Sequence, residues 1–146
     1  MYPLELIQTV RLITDVCLEV APGENVLCIA DGEESMEIVT LIAAESKARG
    51  AEVAVVLLDP RKHHHHEPPR TIARAMQAAD VVITMAFGTL IHTKARKDAC
   101  ALGVKIATLG GATKESTTDA WDAPHIVCCS TCGDWTHPVP TLPPSS

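Results

Sequence analysis

Four short apolar runs, separated by longer amphipathic stretches, constrain the fold of this 146-residue chain more than any other feature. The runs read NVLCIA, AEVAVVLL, DVVITM and VKIATL. Short apolar runs are typical of strands that are buried on both faces of a parallel sheet. Strands that alternate with helices of about ten residues predict crossover units, in which helices cover both faces of the sheet.

The stretches between these runs carry the signals of helix ends. PLELIQTVRLITDVCLEV has apolar residues at helical spacing (Leu6, Val10, Ile13 and Cys17), and PGE is expected to end the helix. EESMEIVTLIAAESKARG has basic residues near its end and stops at Gly50. PPRTIARAMQAA begins on prolines that suit a first helical turn, and TKARKDACALG closes on Gly103.

These patterns predict a three-layer α/β fold. We expect a mostly parallel four-stranded sheet of Rossmann-like or flavodoxin-like type, with helices on both faces and an irregular C-terminal tail. The predicted strand order is 2-1-3-4, since the first two crossovers then place helices on opposite faces. The expected buried segments are Val26 to Ile29, Val53 to Leu57, Val81 to Ile83 and Lys105 to Thr108, with the alternative that Lys105 reaches an edge.

The composition changes near residue 113, which predicts an α/β domain over residues 1–112 and a tail over 113–146. The tail holds five of the ten prolines, three of the six cysteines and both tryptophans, without a helical or strand period. Its last ten residues are rich in proline and serine, and we expect part of the tail to be disordered.

Charge and hydropathy narrow the class of protein. A net charge of −6 argues against a nucleic-acid partner, because such binding needs a basic surface. No apolar run reaches the roughly 18 residues that would cross a membrane. The N-terminus lacks a basic segment followed by an apolar one, so we expect no secretory signal and a cytoplasmic location. In that compartment the six cysteines would be thiols or metal ligands.

The segment after the first strand, DGEES, does not match a phosphate-binding loop. It has one glycine and three acids where a dinucleotide fold places G-x-G-x-x-G, and acids repel phosphate. We expect Asp31 or Ser35 to cap the next helix while the glutamates complement its dipole.

Histidines follow the second and third strands. His63 through His66 lie between Pro60 and Pro68, which favours a surface loop. Adjacent histidines point in different directions, so the run is a poor tetrahedral site and only adventitious nickel or zinc binding is expected. After the third strand, Thr89 or Thr93 is expected to cap a helix, and His92 is either a structural residue or part of a cleft. After the fourth strand, GGATKES is either a plain turn or an anion-binding nest.

The tail contains the only metal-ligand spacing that the sequence offers. Cys129 and Cys132 form a C-x-x-C pair, and Cys128 or His125 with His137 would complete a tetrahedral zinc shell. We therefore treat Cys128, Cys129, Cys132 and His137 as a weak candidate zinc site. The alternative is that these cysteines are incidental.

Two segments resemble a known family. EPPRTIARAMQAADVVITM and TLIHTKARKDACALGVKIATLGGATKE resemble the N-terminal domain of thermophilic-metalloprotease aminopeptidases, of the aminopeptidase T and S type. Related proteins include leucyl aminopeptidases and 2,5-dihydroxypyridine 5,6-dioxygenase-like proteins. VAPGENVLCIAD and SKARGAEVAVVLLDPRK fit the same pattern, so the resemblance covers roughly residues 4–115.

The resemblance implies metal-assisted hydrolysis of an N-terminal peptide bond by zinc, cobalt or manganese, or iron chemistry on an aromatic ring for the dioxygenase-like relatives. In that family the ligands lie in a C-terminal domain, to which no residue here is matched. We therefore expect a truncated chain that is inactive alone, and a frameshift near Glu115 is one hypothesis for its changed composition.

The expected partners are a peptide or small-molecule substrate, and either a second copy of the chain or the missing half. A non-enzymatic binding or assembly module is the alternative class of function.

Overall fold

The computed structural model describes residues 4–59, 66–85, 90–109 and 126–129. A sheet of order β2-β1-β3-β4-β5 forms the middle layer. Its strands are β1 (Asn25–Ala30), β2 (Glu52–Leu57), β3 (Val81–Met85), β4 (Lys105–Leu109) and β5 (Ile126–Cys129). The first four pair in parallel. The predicted order 2-1-3-4 and the α/β class are confirmed.

Helices precede β1 and occupy the segments between the first four strands. They are α1 (Leu4–Leu12), α2 (Glu33–Ala48), α3 (Arg70–Ala78) and α4 (Lys94–Ala101), with a π-helical turn at Ile13–Cys17 and a 3-10 turn at Leu90–His92. The first helical segment ends at Cys17, before the predicted PGE stop, because Glu19 adopts a left-handed φ of 45°. Within the described residues no helix has the length and apolarity needed to cross a membrane.

Two apolar layers lie on opposite sides of the sheet. One contains Val26, Cys28 and Ile83 packed against α1 and α2, including Val10 and Ile38. The other contains side chains that point the opposite way from the same strands, packed against α3 and α4. Its members include Leu27, Ile29, Val82, Met76 and Ala99. Both faces of β1 and β3 are therefore buried, as their apolar runs predict.

Asp80 joins three strands at their amino ends. Its carboxylate accepts from the backbone N–H of Asn25 at 2.8 Å, and its own N–H donates to the Asn25 carbonyl at 2.9 Å. Its carbonyl accepts from the Lys105 N–H at 3.0 Å. One residue thus ties together the starts of β1, β3 and β4.

The predicted burial of Val53 to Leu57 is wrong. Val55 is 42% exposed and Leu57 is 63% exposed, while Val53 and Val56 are only partly buried. The reason is position, because β2 is the edge strand and has a neighbour on one side only among the described strands. An apolar run predicts a strand, but it does not distinguish an edge strand from a central one.

A fifth strand was not predicted from the sequence. Ile126–Cys129 lies in the segment expected to be irregular, yet it pairs antiparallel with β4, with Ile106 opposite Cys129 and Leu109 opposite Ile126. A run of four residues is too short to establish a strand period. The boundary at residue 112 stays a prediction.

The contrast between central and edge strands gives the first prediction. Val82→Ala removes two methyl groups from a fully buried site in β3 and should lower the free energy of unfolding by about 2–3 kcal/mol. Val56→Ala removes the same atoms from the edge strand and should cost less than about 1 kcal/mol. Denaturant titration of both variants tests this, and equal losses would contradict the assignment of β2 as the edge.

Candidate functional site at the carboxyl ends of the strands

The strand order reverses between β1 and β3, since the chain moves from β1 out to β2 and returns to the other side of β1. Ligands of open α/β sheets bind in the crevice at such a reversal, beyond the carboxyl ends of the strands. The described residues that follow these two strands in the chain are Asp31 and Gly32 after β1, and Leu90 to Thr93 after β3.

Asp31 is a buried acid at the carboxyl ends of the strands. It is 8% exposed, and its carboxylate accepts a hydrogen bond from the Ser35 hydroxyl at 3.2 Å. The predicted helix cap is wrong, because Gly32 occupies the N-cap position of α2 in an extended conformation. Asp31 therefore precedes the cap, and Ser35 orients its carboxylate at the end of β1.

Glu67 binds the start of α4. Its carboxylate accepts from the backbone N–H of Lys94 at 2.5 Å and from that of Ala95 at 3.1 Å. The first N–H groups of a helix lack partners within the helix, and a carboxylate there also complements the helix dipole. The acid of the EPP segment is therefore a helix cap supplied from 27 residues earlier in the chain.

Thr93 completes this cap. Its hydroxyl accepts from the Arg96 N–H at 3.3 Å and donates to the Leu90 carbonyl at 2.7 Å. The prediction that Thr93 caps the helix is confirmed. The role of Glu67 was not predicted, because a cap supplied from a distant part of the chain has no characteristic residue spacing in the sequence near the helix. EPP and HTKAR, the two segments that carry the family resemblance, are thus in direct contact.

The histidines near this edge have different positions. His66 is exposed and adjoins Glu67, whereas His63 to His65 lie outside the described residues. His92 is exposed in the 3-10 turn immediately before Thr93. The GGATKES segment also lies outside the described residues. Because both oxygens of Glu67 bind α4, this acid has a structural role beside the histidine run.

Two buried threonines lie just below the strand ends. Thr84 and Thr108 are adjacent across β3 and β4, and both are almost fully buried. The Thr84 hydroxyl has no hydrogen-bond partner among the described residues. A buried polar group without a partner is costly, so this hydroxyl marks a polar position beneath the crevice.

A groove of about 430 Å³ opens on the outer side of α2. Met36 and Leu57 provide apolar surface, and the acids beside them give the groove a negative rim. It is lined by Asp31, Gly32, Glu33, Met36, Glu37, Leu57, Leu58 and Asp59. Such a groove repels phosphate, in agreement with the absence of a glycine-rich phosphate loop in the sequence.

The side chains of Cys28 and Cys100 are both buried. Burial raises the pKa of the Cys28 thiol to about 12, so it stays protonated at neutral pH and is a poor nucleophile and ligand.

The candidate zinc ligands are only partly placed. The backbones of Cys128 and Cys129 lie in β5, while His125, Cys132 and His137 fall outside the described residues. The zinc site therefore stays a prediction. In the part of the chain that the structure describes, no three histidine, cysteine or acidic residues are grouped to hold a metal ion.

Comparison with known proteins finds similarity in structure alone. No protein-family model and no curated protein sequence matches the chain. The fold is similar to that of 2,5-dihydroxypyridine dioxygenase from Pseudomonas putida KT2440, with a TM-score of 0.64 and 16% identity over 82% of this chain. It is also similar to AmpT from Thermus thermophilus, with a TM-score of 0.51 and 16% identity over 80% of this chain.

These similarities establish a shared fold. The chain spans 36% of the length of the dioxygenase and 41% of that of AmpT. The resemblance of the EPP and HTKAR segments predicted a relationship to both kinds of protein. The distant structural relationship is confirmed. At 16% identity, the activities of these proteins do not transfer to this chain.

The Glu67 cap gives a second prediction. Glu67→Ala removes both hydrogen bonds to α4 and should lower the free energy of unfolding by about 1–2 kcal/mol. Asp59→Ala, at an exposed acid after β2, is the matched control and should change it by less than about 0.5 kcal/mol. Thermal unfolding of the two variants tests the cap, and similar losses in both would refute it.

Cys28 gives a third prediction. The unfolded thiol ionises near pH 9, whereas the folded thiol ionises near pH 12. Below pH 9 the thiol is protonated in both the folded and the unfolded state, so its contribution to the free energy of unfolding is constant. Between pH 9 and 12 only the unfolded state loses the proton, so the free energy of unfolding falls as pH rises. The slope due to Cys28 approaches about 1.4 kcal/mol per pH unit. Cys28→Ala should flatten the dependence in this window in denaturant titrations, and an unchanged slope would contradict the assignment.

Proposed function

We propose that this chain acts as the α/β domain of a metal-dependent aminopeptidase-like enzyme and that Asp31 helps to hold the amino end of a peptide. The observation that carries the proposal is the buried Asp31 carboxylate at the point where the strand order reverses. It is supported by the resemblance of the EPP and HTKAR segments and by the structural similarity to AmpT.

The charge of the strand-end edge favours an ammonium group. Glu33, Glu37 and Asp59 lie near Asp31 around the same edge. Clustered carboxylates attract a cation and repel an anion over a distance of about 10 Å. A peptide's free amino group is therefore a better match to this edge than a carboxylate or a phosphate.

The metal would not be held by the residues that the structure describes. Asp31 has Ser35 beside it, Glu67 caps α4, and no group of three potential ligands occurs among the described side chains. A catalytic zinc takes three protein ligands and a water molecule. We therefore assign no step of hydrolysis to these residues, which would bind and orient the substrate.

The dioxygenase-like function is the second candidate. The structural similarity to 2,5-dihydroxypyridine dioxygenase has the higher TM-score of the two, 0.64 against 0.51. An aromatic ring would contact Met36 and Leu57 in the groove, but the acidic rim opposes an ionised dihydroxypyridine. A non-enzymatic binding or assembly module remains the alternative outside catalysis.

The first test concerns catalysis. The purified 146-residue chain, supplied in turn with zinc, cobalt or manganese, should not hydrolyse aminoacyl-p-nitroanilides. If turnover occurs and persists after Cys128, Cys129, Cys132 and His137 are replaced, a catalytic site exists elsewhere in the chain. That result would overturn the division of roles proposed here.

The second test concerns the amino group. Leucinamide should shift the backbone amide resonances of Asp31, Gly32 and Ser35, whereas N-acetyl-leucinamide, which lacks the positive charge, should not. Asp31→Asn should weaken leucinamide binding at least fivefold, while Glu52→Gln, at an exposed acid at the other end of β2, should have no effect. Equal shifts with both ligands would contradict recognition of the amino group, and shifts with 2,5-dihydroxypyridine alone would favour the dioxygenase-like function.

A further inference from the structure

The β2 edge has features that do not depend on the proposed function. Its sequence, EVAVVL, contains neither lysine nor proline, and its one charge is at the first residue. Proteins usually protect an edge strand with charges, prolines, bulges or a covering segment, since an open edge pairs with other strands. Val55 and Leu57 are among the exposed large apolar residues of the described structure.

The direction of the backbone groups can be read from two hydrogen bonds. The N–H groups of Glu52 and Leu58 donate to the Glu24 and Ala30 carbonyls, so both point towards β1. Backbone groups of successive strand residues point to alternate sides. Val53, Val55 and Leu57 therefore direct their N–H and C=O groups out of the sheet, along an edge that no described strand covers.

We infer that this edge binds a second copy of the chain, through antiparallel pairing of the two β2 strands about a twofold axis at Val55. Val55 then lies opposite Val55 of the second copy, and Val53 lies opposite Leu57 of the second copy. All the outward backbone groups of these residues find partners, since antiparallel residues of this kind exchange both hydrogen bonds. A twofold contact of one surface with itself forms a closed dimer.

The position of α2 supports a second copy over an isolated peptide strand. α2 contacts β1 and β2 more extensively than β3, so its axis lies above the space between β1 and β2. With strands about 4.8 Å apart, the axis of α2 lies about one strand spacing from the twofold axis. The two α2 helices would therefore be about 10 Å apart, which is a normal distance for packed helices. A peptide would pair with the strand alone and leave this helix face uncovered.

The charges along α2 are complementary in this arrangement. The helix begins with the exposed Glu33 and has the exposed Lys47 in its last turn. Two antiparallel copies place Glu33 of each near Lys47 of the other. The exposed residues at the middle of the helix, Thr40 and Ala44, are small and permit close approach.

The test is the mass of the full chain across a dilution series, measured by sedimentation equilibrium. We expect a monomer–dimer equilibrium, with Val55→Lys raising the dissociation constant at least tenfold. Leu102→Lys is the matched control, because Leu102 is another large apolar residue that is exposed, at 66%, and it lies beyond α4. It should leave the equilibrium unchanged, and circular dichroism should show that both variants are folded. Should Val55→Lys not fold, Leu57→Glu tests the same edge at a 63% exposed residue.

A charge reversal tests the orientation of the copies. Lys47→Glu should weaken the dimer, and adding Glu33→Lys should restore it. A wild-type chain that stays monomeric would overturn the inference, as would a dimer insensitive to the β2 variants. Growth into larger species on concentration would also overturn it, because the proposed contact closes on itself.

Discussion

The parallel pairing of β1 with both β2 and β3 is the constraint on which the rest of the structure depends. Because β1 lies between its two successors in the chain, the strand order must reverse beside it. The reversal places α2 and α3 on opposite faces and brings the carboxyl end of β1 to the crevice. Burial of Leu27 to Ala30 on both faces stabilises this pairing, so the position of Asp31 follows from the apolar core.

The second organising contact is the Glu67 cap. The segment before α3 and the start of α4 are separated in sequence, and α3 and α4 also pack together in the second apolar layer. Two hydrogen bonds from one carboxylate fix them relative to each other. This contact gives a physical reason why EPP and HTKAR occur together in one chain. In the structure, the acid of EPP binds backbone N–H groups at the start of α4.

The sequence predicted those features that local patterns encode. The four parallel strands, their order and the Thr93 cap follow from apolar runs, helix lengths and capping spacing. Three features depend on contacts between distant residues and could not be predicted in this way. They are the exposure of Val55 and Leu57, the Glu67 cap and the pairing of β5 with β4. The Gly32 cap was missed for a different reason, since Asp31, Gly32 and Ser35 are all acceptable near a helix start.

The exposure of β2 and the acidic groups at the carboxyl ends of the strands both follow from the position of β2 in the sheet. As the outermost strand, β2 leaves its outer backbone groups without partners among the described strands and leaves Leu57 beside the first turn of α2. The acids of that turn are stabilised by the helix dipole, so they accumulate beside an exposed apolar strand. A cation is then the natural neighbour of this edge, whether it is a substrate's amino group near Asp31 or a lysine of a second copy near Glu33. Because Asp31 is buried and Glu33 is exposed, the two cations would occupy different places.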